Sequence, residues 1–370
     1  MEVVAAEASA GASGPGPGTG RRCCVTGATG FLGSWVVKLA LEDGWEVVAT
    51  TRREASAPFL RALPGASARL RVVAGCDLLK PGSFDDAIRG CEVVVHTASP
   101  FFLLGGDEEQ ARKRLLEPAV DGTREVLSAC ARLQVRKVVL TSSMAAVYAA
   151  QGRRAPDYAF SSADWSNAEA LERARSWYPL SKTLAERQAW ALTELSGIRL
   201  AVMNPCLILG PMLRGQQELN TSCMNVLRLF SGERTCAKAC MHVVDVRDVA
   251  RGHMVAAAAP DHWPGWGRRF VLVGASEMQR VLVDALRRSP AVPPDMKQRL
   301  PAAESEALPP VGMGAPPGHV TRFDLAPSLS PPQQGGLGLR YHALQEMMND
   351  TVEAMLANGF TSADMYRPGN

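Results

Sequence analysis

The chain has no excess charge of one sign to speak of: 40 Lys and Arg against 37 Asp and Glu leave a formal net charge of +3 over 370 residues. The basic residues are spread along the chain, so the counterion release that drives nucleic-acid binding has no patch to work from. Long apolar runs are also missing. Segments such as Met254–Ala259 fall far short of the ~20 residues that cross a bilayer, and no membrane association is expected. A dense cysteine framework is absent as well. The nine cysteines are an odd count scattered through apolar segments (Cys23, Cys24, Cys76, Cys91, Cys130, Cys206, Cys223), the usage of reduced thiols in a cytoplasmic protein. The one close pair, Cys236 and Cys240 with His242 nearby, lacks a fourth ligand at tetrahedral zinc spacing, and no metal is expected. Residues 1–20 are Ala, Gly, Ser and Pro with Glu2 and Glu7. They lack the basic start and apolar core of a signal peptide and are expected to form a disordered tail. No internal repeat is visible.

With 46% hydrophobic and 21% charged residues, the chain can bury one large core, or a core and a smaller lobe. From Arg22 to about Val202, short apolar stretches alternate with helical ones: Cys23–Thr26, Val47–Thr50, Leu70–Ala74, Val93–His96, Val138–Thr141 and Leu200–Met203. This alternation specifies an α/β fold, a Rossmann-type doubly wound parallel sheet with helices on both faces. Beyond Pro205 the texture changes, and 13 of the 25 prolines fall between Pro260 and Pro332. The expected organisation is a tail (1–20), a dinucleotide-binding domain (21–205) and a smaller, mainly substrate-shaping C-terminal lobe (206–370), some of whose segments return to the sheet.

Three features carry chemistry. Thr26-Gly27-Ala28-Thr29-Gly30-Phe31-Leu32-Gly33 follows the first strand and opens a helix running to about Glu42. Gly27 lets the chain turn, Gly30 lets backbone N–H groups approach a pyrophosphate, and Gly33 lets helix and strand pack closely. At the end of the second strand, where a carboxylate would bind a free ribose diol, stands Arg52, whose guanidinium suits a 2′-phosphate and so NADP. Asp77, after the third strand, is placed to accept from an adenine amino group. The third feature is Tyr178-Pro179-Leu180-Ser181-Lys182, which starts a helix that stops at Gly197. Four residues apart, Tyr178 and Lys182 share a helix face, and the ammonium is expected to lower the phenol pKa from its ordinary ~10.

These segments, with His96-Thr97-Ala98-Ser99-Pro100, Thr141-Ser142-Ser143-Met144-Ala145-Ala146-Val147, the longer run Trp177–Glu186 and His242–Ala250, resemble the plant dihydroflavonol reductase, cinnamoyl-CoA reductase and phenylacetaldehyde reductase group of extended short-chain dehydrogenases. The resemblance runs from about Arg22 to Val273 and returns weakly near Leu337 to Phe360. It implies hydride transfer from NADPH to a carbonyl, with Tyr178 as proton donor, Lys182 tuning Tyr178 and bonding the nicotinamide ribose, and Ser143 holding the carbonyl oxygen; Ser142 is the alternative serine. It also implies cofactor contacts from Thr26, Gly27, Gly30, Phe31, Leu32 and Gly33, from Arg52 to the 2′-phosphate, from Asp77 and Leu78 at the adenine, from Thr97 and Ala98 on the ribose side, and from Pro205 at the carboxamide. The group often carries a lysine a few residues after the arginine. Glu54–Leu60 has none, which loosens the expected preference for NADPH.

Departures from the relatives point to the substrate. Tyr148 stands where dihydroflavonol reductases commonly carry an asparagine, and Ser176-Trp177-Tyr178-Pro179-Leu180-Ser181-Lys182 departs from the cinnamoyl-CoA reductase run towards the phenylacetaldehyde reductase branch. Phe101 and Phe102, with Met144 and Tyr148, would line an apolar cleft for a small aryl or aliphatic aldehyde or ketone. The competing readings are a dihydroflavonol or cinnamoyl-CoA reductase, an NAD-dependent sugar-nucleotide epimerase or dehydratase, and a non-catalytic NADP-binding protein. A small carbonyl compound is the expected partner. The sequence leaves the oligomeric state open.

Overall fold

A computed structural model of the chain describes residues 20–99, 108–151, 155, 157–305 and 320–361. The expected tail, Phe101 and Phe102, and part of the proline-rich stretch lie outside the described residues. The apolar segments form β1 (Arg22–Thr26), β2 (Glu46–Thr51), β3 (Leu70–Ala74), β4 (Val93–His96), β5 (Lys137–Thr141) and β6 (Arg199–Pro205), joined by β7 (Arg268–Leu272) from the C-terminal half. The seven make one sheet in the order β7-β6-β5-β4-β1-β2-β3, every pairing parallel. β1 carries β2 on one side and β4 on the other. The strand order therefore reverses there, and a crevice opens beyond the carboxyl ends of β1 and β4, the place where doubly wound sheets bind ligands.

Successive side chains on a strand point to opposite faces, and the core divides accordingly. Cys23, Val25, Val47, Ala49, Val93, Val95, Val139, Ala201 and Met203 face one layer, built by α1 (Phe31–Glu42) and, far along the chain, a helix over Val246–Ala258. Cys24, Val48, Val94, Val138, Leu140, Leu200 and Val202 face the other, built by α2 (Glu117–Arg132) and α3 (Trp177–Ser196). Strands sandwiched on both faces must be apolar throughout, which is why these segments read as continuous rather than alternating runs.

The smaller lobe has its own sheet, in which Cys240–Asp245 pairs in parallel with Leu207–Leu209 and antiparallel with Ala275–Met278. Helices Thr221–Arg228, Gln279–Arg288 and Leu344–Ala357 close a second core around Met224, Leu227, Val283, Leu286, Met347 and Val352. Asp245, which caps Val246–Ala258, pairs with Arg247 at 2.8 Å, and Arg247 reaches Asp350 of the last helix at 2.8 Å, tying the lobe to the helical layer. Within the proline-rich stretch, Pro294–Arg299 is helical and Arg322–Phe323 pairs with Ala159–Phe160.

Candidate active site

At the crevice, β1 ends on Thr26 and the chain turns through Gly27 at φ +65°, a left-handed conformation that favours glycine. A Cβ on Gly27 would lie 2.9 Å from the backbone of Ala98, and one on Gly33 would lie 2.2 Å from the Gly27 carbonyl oxygen. The turn is therefore wedged between the exit of β4 and the first turn of α1. Side chains brace it. The Thr26 hydroxyl accepts from Ala98 N at 3.2 Å and bonds His96 Nδ1 at 2.7 Å, while Thr97 Oγ1 donates to Thr26 O at 2.7 Å. Helix α1 starts at the N-cap Gly30 with no side-chain cap and no acidic residue in its first turn. Its first N–H groups and positive dipole end are thus presented to the crevice, a fit for an anionic pyrophosphate. Phe31 is half-buried and Leu32 buried in that turn.

Arg52 follows β2 directly, exposed and with no ion-pair partner among the described residues, whereas Arg53 pairs with Glu218 at 3.4 Å. Asp77 is exposed, and its Oδ1 accepts from Leu79 N at 2.9 Å; Leu78 is half-buried against Gly122 of α2, where a Cβ would come within 2.7 Å of it. Pro205 is buried at the end of β6, on the same carboxyl edge.

The catalytic candidates meet where β5 runs out. Ser143 caps a short turn at Met144–Ala146, its hydroxyl accepting from Ala145 N at 3.1 Å, and it shares a side-chain hydrogen bond with Tyr178. Tyr178 is half-buried in the first turn of α3, and Lys182 is buried one turn further on. The expected lowering of the phenol pKa is not what the surroundings produce. Burial pushes Tyr178 up to about 12, opposed by its hydrogen bond to Ser143, because dehydrating a phenolate costs more than that bond returns. Burial pulls Lys182 down to about 8, opposed by the Glu186 carboxylate. His96 faces the same ammonium and is held neutral, pulled down to about 3 by burial and by the charge of Lys182.

On the substrate side the placement is mixed. Tyr148 is half-buried, edge-on to Phe160, His242 and Phe323 at 5.8–6.0 Å. Met144 is 5% exposed and packs in a small cluster with Val147, Phe160, Val271 and Val273. Tyr148, its expected companion on the substrate side, packs against the same cluster. Phe101 lies outside the described residues. Cys240 Sγ sits 3.8 Å from His242 Nδ1, and among the described residues no group of three or more His, Cys, Asp or Glu is assembled that could hold a metal. No helix among the described residues is long and apolar enough to cross a membrane.

Sequence reasoning missed the layer behind the candidate catalytic turn. Glu186 and Arg269 are both buried and ion-paired; Glu186 Oε2 also accepts from Ser142 Oγ at 2.5 Å and from Asn204 Nδ2 at 2.8 Å. Ser142, the alternative catalytic serine, is thus turned towards Glu186 while Ser143 meets Tyr178. Two signals were available: Glu186 follows Lys182 at the four-residue spacing of one helix face, and Arg269 is a charge inside an apolar strand.

Three comparisons bear on this geometry. The family model described as "NAD dependent epimerase/dehydratase family" matches residues 23–271. Tetraketide alpha-pyrone reductase 1 of Arabidopsis thaliana is 33% identical over 92% of this chain and 97% of its own length, and cinnamoyl-CoA reductase CAD2 of Medicago truncatula is 39% identical over 64% and 72%. The structure of yeast methylglyoxal/isovaleraldehyde reductase Gre2 complexed with NADPH matches with a TM-score of 0.75 at 26% identity, covering 92% of this chain and 99% of that one. A glycine turn on a helix N-terminus, a parallel sheet reversing at β1 and a model match across both place the chain in the NAD dependent epimerase/dehydratase family, among its extended short-chain dehydrogenases/reductases.

Proposed function

We propose that the protein is an NADPH-dependent reductase of a small aryl or aliphatic aldehyde or ketone, with Tyr178 as general acid. The observation that carries this reading is the hydrogen-bonded Ser143–Tyr178 pair, with Lys182 one helical turn away, on the carboxyl edge of the sheet beside the glycine turn. When bound there, the dinucleotide supplies the hydride. The residues of the chain supply the rest. Uncapped N–H groups of α1 hold the pyrophosphate, and Arg52 takes the 2′-phosphate. Ser143 donates to the carbonyl oxygen of the substrate and fixes its position. Tyr178, a phenol at about 12, is fully protonated at neutral pH, the state a donor needs, and gives its proton to that oxygen as negative charge develops. The Lys182 ammonium stabilises the phenolate left behind.

A small carbonyl substrate is supported by Tyr148 at the asparagine position of the dihydroflavonol reductases and by the likeness to Gre2, a methylglyoxal/isovaleraldehyde reductase. The names of the Medicago and Arabidopsis relatives favour a second reading, a bulkier aryl-CoA thioester or polyketide substrate. Steady-state kinetics with NADPH across phenylacetaldehyde-like or aliphatic carbonyls, dihydroflavonols and hydroxycinnamoyl-CoA esters separates them. The first class is expected to show the highest kcat/KM; a preference of about tenfold or more for either of the others, worth ~1.4 kcal/mol in transition-state binding, overturns it. Tyr178→Phe is expected to bind NADPH within a few fold of the parent and to lose ~10²–10⁴ of its turnover. Near-parental turnover in that variant removes Tyr178 from the mechanism.

A further inference from the structure

Behind the catalytic turn, two charges that are expensive to bury sit face to face. Glu186 and Arg269 are 1% and 6% exposed. Replacing such a pair by apolar side chains of similar volume is often neutral or stabilising, so fold stability alone does not account for it. Its contacts run to the candidate catalytic groups instead. Glu186 Oε2 takes the Ser142 hydroxyl at 2.5 Å and Asn204 Nδ2 at 2.8 Å, and Asn204 Nδ2 also reaches the Ser143 carbonyl at 3.1 Å. Arg269 bonds Glu186 through Nε and, at 3.4 Å, through its second amino group, which also reaches Ala146 O at 3.3 Å. Its other amino group bonds the carbonyls of Ser162 and Asp164, and the guanidinium lies 3.9 Å over the Trp165 ring. Both ends of the 143–146 turn are therefore fastened to one ion pair.

We propose that the Glu186–Arg269 pair is a positioning device of the active centre: it holds the Ser143 turn against Tyr178 and sets a carboxylate one helical turn beyond Lys182. This rests on the reading of Ser143, Tyr178 and Lys182 as catalytic. The charged and titratable groups facing Lys182 are Tyr178 and Glu186 from α3, His96 from β4, and Arg269 acting on Glu186 from β7. His96 stays neutral at working pH, so Glu186 is the anion that opposes the effect of burial on Lys182.

The test is the pH profile of kcat with NADPH and a reducible aldehyde. In Glu186→Gln, loss of the anion lowers the affinity of both Lys182 and Tyr178 for a proton, so the basic limb of the coupled pair moves to lower pH by about one unit. kcat at pH 8 is expected to fall about tenfold or more, with KM for NADPH changing by less than about threefold. Glu186→Asp, which keeps the charge, leaves the limb in place. Should Glu186→Gln fail to fold because Arg269 is stranded, Glu186→Gln with Arg269→Met removes the whole pair and is read in the same way. An unmoved limb in either folded variant overturns the proposal. NMR titration of the labelled Lys182 ammonium reads the same shift without turnover. A shift there alongside an active Tyr178→Phe would sink the catalytic assignment and keep the charge contact; an inactive Tyr178→Phe with an unmoved Lys182 would sink only the inference.

Discussion

Arg52 and Arg53 are neighbours in sequence with different surroundings. Arg53 is spoken for by Glu218, while Arg52 stands exposed at the mouth of the crevice, and burial cannot be the reason for its presence there. On the proposed reading its charge is the property that matters. Arg52→Asp would repel a 2′-phosphate and accept a ribose diol, so KM for NADPH is expected to rise by about tenfold or more, with KM for NADH unchanged or lower. Equal changes with both cofactors would make Arg52 an ordinary solvated charge. The same distinction separates the two serines. Their spacing in the sequence is uninformative, whereas their partners are not: Ser142 faces Glu186 and Ser143 faces Tyr178.

At the scale of the strand–turn–helix element, the glycines divide binding from folding. The space for a Gly33 side chain is occupied by the Gly27 carbonyl at 2.2 Å, while a Cβ on Gly30 would meet only that oxygen at 3.2 Å and otherwise face the crevice. Gly33→Ala should therefore force α1 off the turn, costing ~1–3 kcal/mol as overpacking and lowering both the melting temperature and NADPH affinity. Gly30→Ala should leave the melting temperature nearly unchanged and weaken NADPH binding alone. Thermal unfolding with and without NADPH, and a fluorescence titration of each variant, check the pair. Equal losses of melting temperature would contradict the division.

At the scale of the whole molecule, three histidines among the described residues are buried in neutral form. His96, His242 and His253 are pulled from 6.5 down to about 3, about 4 and about 4, in each case chiefly by burial. His253 is held on both sides, by Val249 O at 2.8 Å and Thr141 Oγ1 at 2.7 Å. In the unfolded chain these rings protonate near 6.5, so below that pH the unfolded state binds more protons than the native one. Stability present above pH 6.5 is then lost as the pH falls towards 4, by ~1.4 kcal/mol per pH unit for each histidine. The melting temperature is expected to drop steeply between pH 6.5 and 4.5, with a shallower slope in His253→Gln. A variant slope equal to the parent's would show that carboxylates, not buried imidazoles, set the acid limit.

What the sequence determined by itself is local. A strand buried on both faces must be apolar over its whole length, and a phosphate turn needs glycines at set spacings, so six strands of the sheet, the glycine turn and the helix bearing Tyr178 and Lys182 were legible to within a few residues. Tertiary structure decided what depends on residues brought from far along the chain. Arg269 reaches Glu186 across 83 positions, β7 enters the sheet beside β6, and Met144 packs with Val271 and Val273 from far along the chain. The sign of the Tyr178 shift belongs to the same class. A four-residue spacing places an ammonium near a phenol, but desolvation depends on everything packed around both, and that packing exists only in the folded chain.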